Sequence, residues 1–412
     1  MARFSPDSGF GTLVTHVEEG PNPHSAHITP IYQTTTFSFP DVATGAAIFS
    51  GEQKGYYYTR CNNPNQEQLA RKIAYLEAWD LLQAQPESDL DSLVAGQAFA
   101  SGMAAVSSAI LAKVSAGATI IVQRSIYSNT FTFLNEIASR LGVQVIWVDY
   151  PSPEAWQAAF YAYPDAVLAY AETPVNPAMA IVDLEEVAKI VHASGSWLMV
   201  DNTYATPFCQ RPLSLGADVV IHSTTKYLSG HGLIIGGALV SRHLDYVRKD
   251  VNFHMRMLGG SPSPFDAWMA NIGLKTLELR MLRHCDNALQ VARFLETRPE
   301  IERVYYPGLE SNPGYEIARK QMHHFGGMVS FELKGGLEAG KKLMNGLRLI
   351  TMATSFGTVD SLIQHPASMS HAIVPTDERR KQGISDGLVR FSVGIENIED
   401  ILADLSQALE HV

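Results

Sequence analysis

The chain has 412 residues, of which 46% are hydrophobic and 18% are charged, and its formal net charge is −11. This length predicts two or three domains with a core large enough to need no stapling disulfides. The negative charge argues against nucleic acid or an anionic membrane as the main partner, because both attract basic patches.

The cysteines and the N-terminal residues indicate a reducing compartment. Cys61, Cys209 and Cys285 match no metal or disulfide spacing. The first residues, MARFSPDSGFGTLVTH, lack the basic and apolar regions of a signal peptide. No apolar run approaches the length of a membrane span, and the 14 histidines form no ligand-spaced cluster. We expect a cytoplasmic protein without a metal site.

The first predicted element is an extended arm over residues 1–60. This segment is rich in Pro, Thr, Tyr and Gly, and we interpret it as lacking helical periodicity. A helix is predicted from Pro64, because proline stands at its start and apolar residues follow at three- and four-residue spacing. The polar stretch 82–93 is interpreted as a surface excursion.

The middle region, 61–265, alternates apolar runs with helical patterns, which predicts an α/β domain with a mostly parallel sheet. The runs contain little polar alternation, as in strands buried on both faces. They are TIIVQ (119–123), VQVIWVD (143–149), AVLAYAE (166–172), WLMVD (197–201), DVVIHS (218–223) and GGALVS (236–241). Residues 266–412 predict a smaller α+β domain, with a long helical stretch, the strand-like GMVSFEL and GLVRFSVG, and a closing helix.

Polar residues follow several of these strands, where ligands bind in parallel sheets. ASGMAA (100–105) begins a predicted helix, and its free backbone N–H groups form either an anion cradle or a plain N-cap. AETPVNP (171–177) places Glu172 and Asn176 in what is otherwise a polar turn. Asp201 ends an apolar strand, either as a desolvated acid that needs a cation or as a helix cap.

The stretch HSTTKYLSGH (222–231) adds a lysine to the same edge. Lys226 follows a predicted strand beside Ser223, Thr224 and Thr225. A lysine near an apolar sheet edge loses its proton more easily and can act as an amine nucleophile. A nucleophilic lysine, an acid for a ring nitrogen and a phosphate cradle together are what pyridoxal 5'-phosphate (PLP) requires. A nicotinamide dehydrogenase is disfavoured, since no G-x-G-x-x-G turn follows the first strand.

At this point the chain resembles the Cys/Met-metabolism family of PLP enzymes over nearly its whole length. The resemblance is carried by YYYTRCNNPN (56–65), ASGMAA, AETPVNP, VDNTYATP, HSTTKYLSGHG, SPFDAWMANIGLKTLELRM (263–281), QHPASMSH and GISDGLVRFSVGIE. It implies the aspartate-aminotransferase-like fold, called fold type I. It also implies a homotetramer built from catalytic dimers.

The resemblance also implies roles for individual residues. Lys226 would bind the PLP aldehyde and move protons, and Asp201 would pair with the pyridinium nitrogen. Tyr127 would stack on the ring and donate a proton to the leaving group. The remaining cofactor contacts would be Gly102, Met103, Ser223 and Thr225 at the phosphate, Glu172 and Asn176 around the ring, and Tyr58 and Arg60 reaching the phosphate of the neighbouring subunit.

The resemblance leaves more than one substrate and reaction type open. Arg390 and Ser355 would bind the substrate carboxylate, which suits a bidentate arginine. Asn129 occupies the position at which methionine-cleaving members carry a cysteine, so it raises a question about methionine cleavage. We expect γ-elimination on methionine, cystathionine or homocysteine. The alternatives are γ-replacement on an O-acylhomoserine, as in cystathionine gamma-synthase or O-acetylhomoserine sulfhydrylase, and the cystathionine beta-lyase reaction.

Overall fold

A computed structural model describes residues 8–20, 22, 24–149, 152–175, 179–370, 372, 377 and 384–412. Within these residues the larger sheet has seven strands in the order β1-β7-β6-β5-β4-β2-β3. They are β1 Ala95–Phe99, β2 Thr119–Gln123, β3 Gln144–Val148, β4 Leu168–Glu172, β5 Trp197–Asp201, β6 Val219–His222 and β7 Gly237–Ser241. Strand β7 is antiparallel to β1 and to β6, whereas the other neighbouring pairs are parallel.

A smaller sheet follows in the C-terminal third, in the order β10-β11-β12-β9-β8. Its strands are β8 Ile301–Tyr305, β9 Met328–Leu333, β10 Thr351–Met352, β11 Leu362–Gln364 and β12 Leu388–Ser392. The predicted α/β architecture with a smaller α+β unit is therefore confirmed. Strand β1 was not predicted, because its sequence AGQAF interrupts the apolar run with glycine and glutamine.

Helices pack on both faces of the larger sheet and against the smaller sheet, whereas α2 lies in the exposed arm. The α-helices in the described residues are α1 Phe10–His16, α2 Val42–Ser50, α3 Pro64–Glu77, α4 Trp79–Ala84, α5 Leu90–Leu93, α6 Gly102–Lys113, α7 Ser128–Thr132, α8 Pro153–Ala162, α9 Leu184–Ala193, α10 Thr206–Cys209, α11 Asn252–Leu258, α12 Pro264–Leu274, α13 Leu277–Glu296, α14 Tyr315–Gln321, α15 Gly336–Gly346 and α16 Ile398–Leu409. In the described part of the chain, no helix combines the length and apolar character needed to cross a membrane.

The two faces of the larger sheet explain its unbroken apolar runs. In β5, Leu198 and Val200 pack into one core cluster, whereas Met199 packs into the cluster on the opposite face. All three side chains are fully buried. Because side chains alternate between the faces of a strand, burial on both faces requires apolar residues at every position.

The expectation of an arm without helices is wrong for two segments, α1 and α2. In α1, Phe10, Leu13 and Val14 are buried against the core of the larger sheet, and Val17 is buried just beyond it. These positions follow the three- and four-residue spacing of an amphipathic helix, which the many prolines and threonines nearby obscured. The stretch 82–93 likewise contains α5 and buries Leu82 and Leu90.

Helix α13 connects the two sheets. Leu277 and Met281 in its first half pack in the core of the larger sheet. Ala288, Val291 and Leu295 in its second half pack in the core of the smaller sheet. The domain division at 60/61 and 265/266 stays a prediction. The core of the larger sheet also includes residues beyond 265, among them Met281, Cys285 and Phe356.

Candidate active site

The carboxyl ends of β1, β2, β4, β5 and β6 lie at one edge of the larger sheet, because these strands are parallel to one another. Glu172 at the end of β4 is the register partner of Asp201 at the end of β5, and Asp201 pairs in turn with Ile221. The sheet register therefore brings together the predicted acids and the segment that carries Lys226.

Lys226 contacts residues of the smaller unit. Its Nζ donates a hydrogen bond to Ser355 Oγ at 2.9 Å and lies 4.6 Å from the centroid of the Phe356 ring. Arg390 on β12 donates through Nη2 to the carbonyl oxygens of Thr354 and Ser355, at 3.0 and 3.1 Å. The predicted lysine, serine and arginine thus form one cluster that spans the two sheets.

The charge state of Lys226 follows from this location. Burial, followed by the positive charge of Arg390, lowers the pKa of Lys226 to about 8. Both effects disfavour the ammonium form, since desolvation and a neighbouring cation each penalise a positive charge. At pH 7 about a tenth of the Lys226 side chains therefore carry the free amine that a nucleophile or base requires, far more than for an ordinary lysine.

Asp201 is linked through Thr203 to Ser223, one of the residues predicted to bind the phosphate. Asp201 Oδ1 accepts from the backbone N–H of Thr203 at 3.0 Å and from its hydroxyl at 2.5 Å. Thr203 Oγ1 in turn accepts from the backbone N–H of Ser223 at 2.9 Å. Burial raises the pKa of Asp201, and the hydrogen bonds from Thr203 oppose that rise. A cationic partner would favour the ionised carboxylate further.

The beginning of α6 is the segment predicted as an anion cradle. Ser101 caps the helix, since its Oγ accepts from the backbone N–H of Ala104 at 3.0 Å. A Cβ on Gly102 would lie 2.9 Å from Ser223 Cβ, so only glycine allows this close approach without displacement. Thr225 Oγ1 accepts from the backbone N–H of Gly236 at 3.0 Å. The N-cap interpretation is therefore confirmed, whereas the anion cradle stays a prediction that the helix N-terminus beside hydroxyl groups supports.

Tyr127 and Asn129 lie after β2. The backbone N–H of Tyr127 donates to Glu172 Oε2 at 2.8 Å, and Asn129 Nδ2 donates to the Tyr127 hydroxyl oxygen at 2.9 Å. Thr130 Oγ1 donates to Met103 Sδ at 3.7 Å, which ties this segment to α6. Asn176 lies outside the described residues.

Tyr58 and Arg60 contact a different part of the chain. The Arg60 guanidinium carbon lies 5.5 Å from the centroid of the Tyr58 ring, and Arg60 Nη1 donates to Arg256 O at 2.9 Å. Over the residues that the structure describes, no hydrogen bond or ion pair joins Arg60 to the Lys226 cluster. Tyr58 is 38% exposed.

Comparison with known proteins identifies the family. The model of the family described as "Cys/Met metabolism PLP-dependent enzyme" matches residues 11–410. The chain belongs to this family. The resemblance inferred from the motifs is confirmed, and so is the prediction of a PLP enzyme.

This chain is similar to named proteins over nearly its whole length. The protein named L-methionine gamma-lyase from Porphyromonas gingivalis is 47% identical over 405 residues, which cover 98% of this chain and 97% of that protein. The crystal structure of metB from Corynebacterium glutamicum is 39% identical with a TM-score of 0.88 and covers 99% of both chains. The cystathionine gamma synthase structure from Xanthomonas oryzae is 35% identical with the same TM-score of 0.88 and covers 98% of both chains. These structures confirm the fold type I prediction.

The residues present fit PLP. The Gly102–Ser223 approach leaves the beginning of α6 open to a phosphate group, because a side chain at residue 102 would fill that space. Lys226 offers an amine for the aldehyde, and the buried Asp201 offers a carboxylate for the ring nitrogen. Among the described residues no group of three His, Cys, Asp or Glu side chains is arranged to hold a metal ion.

Two residues of this site were missed by sequence reasoning. Thr203 joins Asp201 to Ser223, and the Asp-x-Thr spacing, typical of a turn in which Asp accepts from the residue two positions on, was the available signal. Phe356 is the second of these residues. Its ring contacts Tyr204 at 4.4 Å between centroids and lies 5.8 Å from the Arg390 guanidinium carbon.

Proposed function

We propose that this chain is a PLP-dependent carbon–sulfur lyase. It catalyses γ-elimination on a sulfur amino acid such as L-methionine, L-cystathionine or L-homocysteine and yields 2-oxobutyrate, ammonia and a thiol. The observation that carries the proposal is the cluster of Lys226, Ser355 and Arg390, in which an amine with a pKa of about 8 stands beside a fixed guanidinium. The 47% identity with a protein named L-methionine gamma-lyase supports the choice of substrate.

Each residue of the cluster has a defined task in this reaction. Arg390 binds the substrate carboxylate, and its Nη2 bonds to the carbonyl oxygens of residues 354 and 355 hold the guanidinium in place. When bound, PLP withdraws electrons from the substrate carbons next to the amine. Lys226 Nζ is the base that takes the proton from the substrate Cα and later from Cβ.

The remaining contacts orient the cofactor and the leaving group. Asp201 pairs with the ring nitrogen, and Gly102, Met103, Ser223 and Thr225 bind the phosphate. Glu172 holds the Tyr127 backbone at 2.8 Å, so that the phenol can stack on the ring. The Tyr127 hydroxyl gives its proton to the departing sulfur. In this proposal Asn176 would be a further contact of the PLP ring.

The same residues could serve γ-replacement on an O-acylhomoserine, which differs only in the fate of the unsaturated product. The similarity to a solved cystathionine gamma synthase favours this second candidate. The cystathionine beta-lyase reaction is the third, and it would break the bond at Cβ.

The oligomer is part of the proposal. We infer a homotetramer of catalytic dimers, in which Tyr58 and Arg60 reach the PLP phosphate of the partner subunit. Tyr58 is 38% exposed and the neighbouring Phe49 is 66% exposed, which leaves an aromatic surface for a second copy to cover. The cytoplasm is the compartment that fits the three free cysteines.

The deciding experiment measures 2-oxobutyrate released by the PLP-loaded protein from L-methionine and from L-cystathionine, without added thiol. Rapid release from either supports the lyase, and the faster substrate identifies which one. Little release from both, together with thiol-dependent turnover of O-acetyl-L-homoserine, would favour γ-replacement instead. Pyruvate from cystathionine would identify cleavage at Cβ.

A further inference from the structure

Tyr127 is held at its backbone N–H and at its hydroxyl oxygen. Glu172 Oε2 accepts from its backbone N–H at 2.8 Å, and Asn129 Nδ2 donates to its hydroxyl oxygen at 2.9 Å. Thr130, the residue after Asn129, is anchored to Met103 by its hydroxyl. Tyr127 is therefore positioned by α7, by the end of β4 and by the beginning of α6.

The direction of the Asn129 hydrogen bond restricts what the phenol can do. A tyrosine hydroxyl has one hydrogen to donate and lone pairs to accept. When the Asn129 amide N–H occupies a lone pair, the hydroxyl hydrogen remains available for another acceptor. The same N–H also stabilises the negative oxygen that remains after the proton has left.

We propose that Asn129 is a positioning residue that keeps the Tyr127 hydroxyl hydrogen directed at the departing sulfur. This inference rests on the proposed lyase function. In the step concerned, the Cγ–S bond breaks and its electron pair goes to sulfur. The Tyr127 proton goes to that sulfur and gives a neutral thiol. The electron pair of the new Cβ–Cγ double bond comes from the Cβ–H bond, whose proton goes to Lys226 Nζ.

The proposal answers the question that Asn129 raises. A cysteine thiol is only a weak hydrogen-bond donor, whereas an amide N–H is a good one. Asn129 can thus support protonation of a thiolate leaving group without a cysteine at this position. Its part in the reaction is to act through Tyr127, not to contact the substrate itself.

The test compares two leaving groups in the variant Asn129→Asp, which keeps the shape of the side chain but replaces the N–H donor with an acceptor. The aspartate would take the Tyr127 hydroxyl hydrogen for itself. Methanethiolate from L-methionine needs a proton to leave, whereas acetate from O-acetyl-L-homoserine does not. We expect kcat to fall about 10²-fold with methionine, which is a typical share for general acid catalysis, and by less than about threefold with the ester.

Two measurements separate this role from a structural one. The dissociation constant of L-norleucine, in which CH2 replaces sulfur and nothing can be expelled, should stay unchanged in Asn129→Asp. The visible absorbance of bound PLP should also stay unchanged. Asn135→Asp is the matched control, because Asn135 lies in the π-helix Phe133–Ala138 that continues α7, and its Nδ2 donates to Phe131 O and not to Tyr127. It adds the same charge and should retain activity with both substrates.

The possible results distinguish the role of Asn129 from the lyase activity on which it rests. Equal losses with both leaving groups, or no loss with methionine, would overturn the role of Asn129 while leaving the lyase intact. A wild-type protein that releases no 2-oxobutyrate from any sulfur amino acid would overturn both. If Asn129→Asp does not fold, Asn129→Ala gives the same comparison, with an expected loss of about tenfold confined to methionine.

Discussion

Two regions of the molecule carry the residues expected to bind the cofactor, and they differ in how complete they are within one chain. At the sheet edge, Lys226, Ser355 and Arg390 contact one another, and a hydrogen-bonded chain runs from Asp201 through Thr203 to Ser223. In the arm, Tyr58 and Arg60 contact each other and the Arg256 carbonyl oxygen.

The two regions differ in whether their charged side chains are enclosed by groups of the same chain. Lys226 and Arg390 are enclosed by their own chain, so their environment is already the one in which they would act. The Arg60 guanidinium has one backbone acceptor and an aromatic face, and no carboxylate near it forms an ion pair among the described residues. Such a cation is available to an anion supplied by something else.

The largest effect is expected at the centre of the enclosed region. Lys226→Ala should abolish the visible absorbance of bound PLP and lower turnover by at least about 10³-fold, since the covalent attachment point and the base are both lost. Lys113→Ala is a suitable control, because Lys113 lies over the Trp197 ring, at the opposite end of β5 from Asp201. Turnover that survives in Lys226→Ala would refute the assignment of the reactive lysine.

A smaller effect should come from the arm. Arg60→Ala should weaken PLP binding by about 10- to 100-fold, the range for losing a hydrogen bond to a charged group. Equilibrium titration of the apo-protein measures it. Lys54→Ala serves as the control, because Lys54 in the same arm pairs with Glu67 and is 80% exposed.

Subunit mixing sharpens the contrast between the regions. If Arg60 acts on the partner's cofactor, a hybrid of Lys226→Ala and Arg60→Ala subunits contains one site with both defects and one site with neither. At a PLP concentration that loads the wild type but not Arg60→Ala, refolding the two variants together should then restore about a quarter of wild-type activity, by random pairing of two kinds of subunit. Absence of recovery would mean that Arg60 acts within its own chain.

The pH dependence of cofactor capture tests the environment of Lys226. With a pKa of about 8, its amine is largely protonated below that pH and largely free above it. The rate at which apo-protein takes up PLP should therefore fall about tenfold for each pH unit below 8 and level off above it. Stopped-flow absorbance measures the profile. A rate that still rises steeply toward pH 10 would mean that the amine is not desolvated.

The smallest effect is expected from Phe356→Leu. The ring face 4.6 Å from Lys226 Nζ favours the ammonium form, so its removal should lower the pKa of Lys226 further. A cation–π contact contributes about 0.5–1 kcal/mol, which corresponds to about half a pH unit in the midpoint of the capture profile. Phe265→Leu, at an exposed position on α12, should leave the midpoint unchanged.

The sequence predicted the enclosed region well because local signals marked each part. Apolar runs located strands β4, β5 and β6, and the polar residues at and after their ends lie at one edge of the sheet. Parallel strands then bring those residues to one edge without further information. The cap at Ser101 and the close approach at Gly102 also follow from residue type.

Contacts between distant segments could not be predicted in this way. The hydrogen bond from Lys226 to Ser355 joins residues 129 positions apart, and no spacing rule connects them. Helix α1 was missed for a different reason. Its apolar residues Phe10, Leu13 and Val14 have helical spacing, but the turn-forming residues nearby led to the prediction of an extended arm. The role of Thr203 as a link between Asp201 and Ser223 depends on the turn that follows Asp201, and this turn was not predicted.

Helix α13 gives the substrate site a mechanical property. Met281 in one core and Ala288 in the other lie seven residues apart on the same helix, which is about 10 Å along its axis. One helix is thus packed into both cores, with Lys226 beside the core of the larger sheet and Arg390 on a strand of the smaller sheet. Loosening either end would separate the amine from the guanidinium, so we expect the two sheets to melt together as one calorimetric transition.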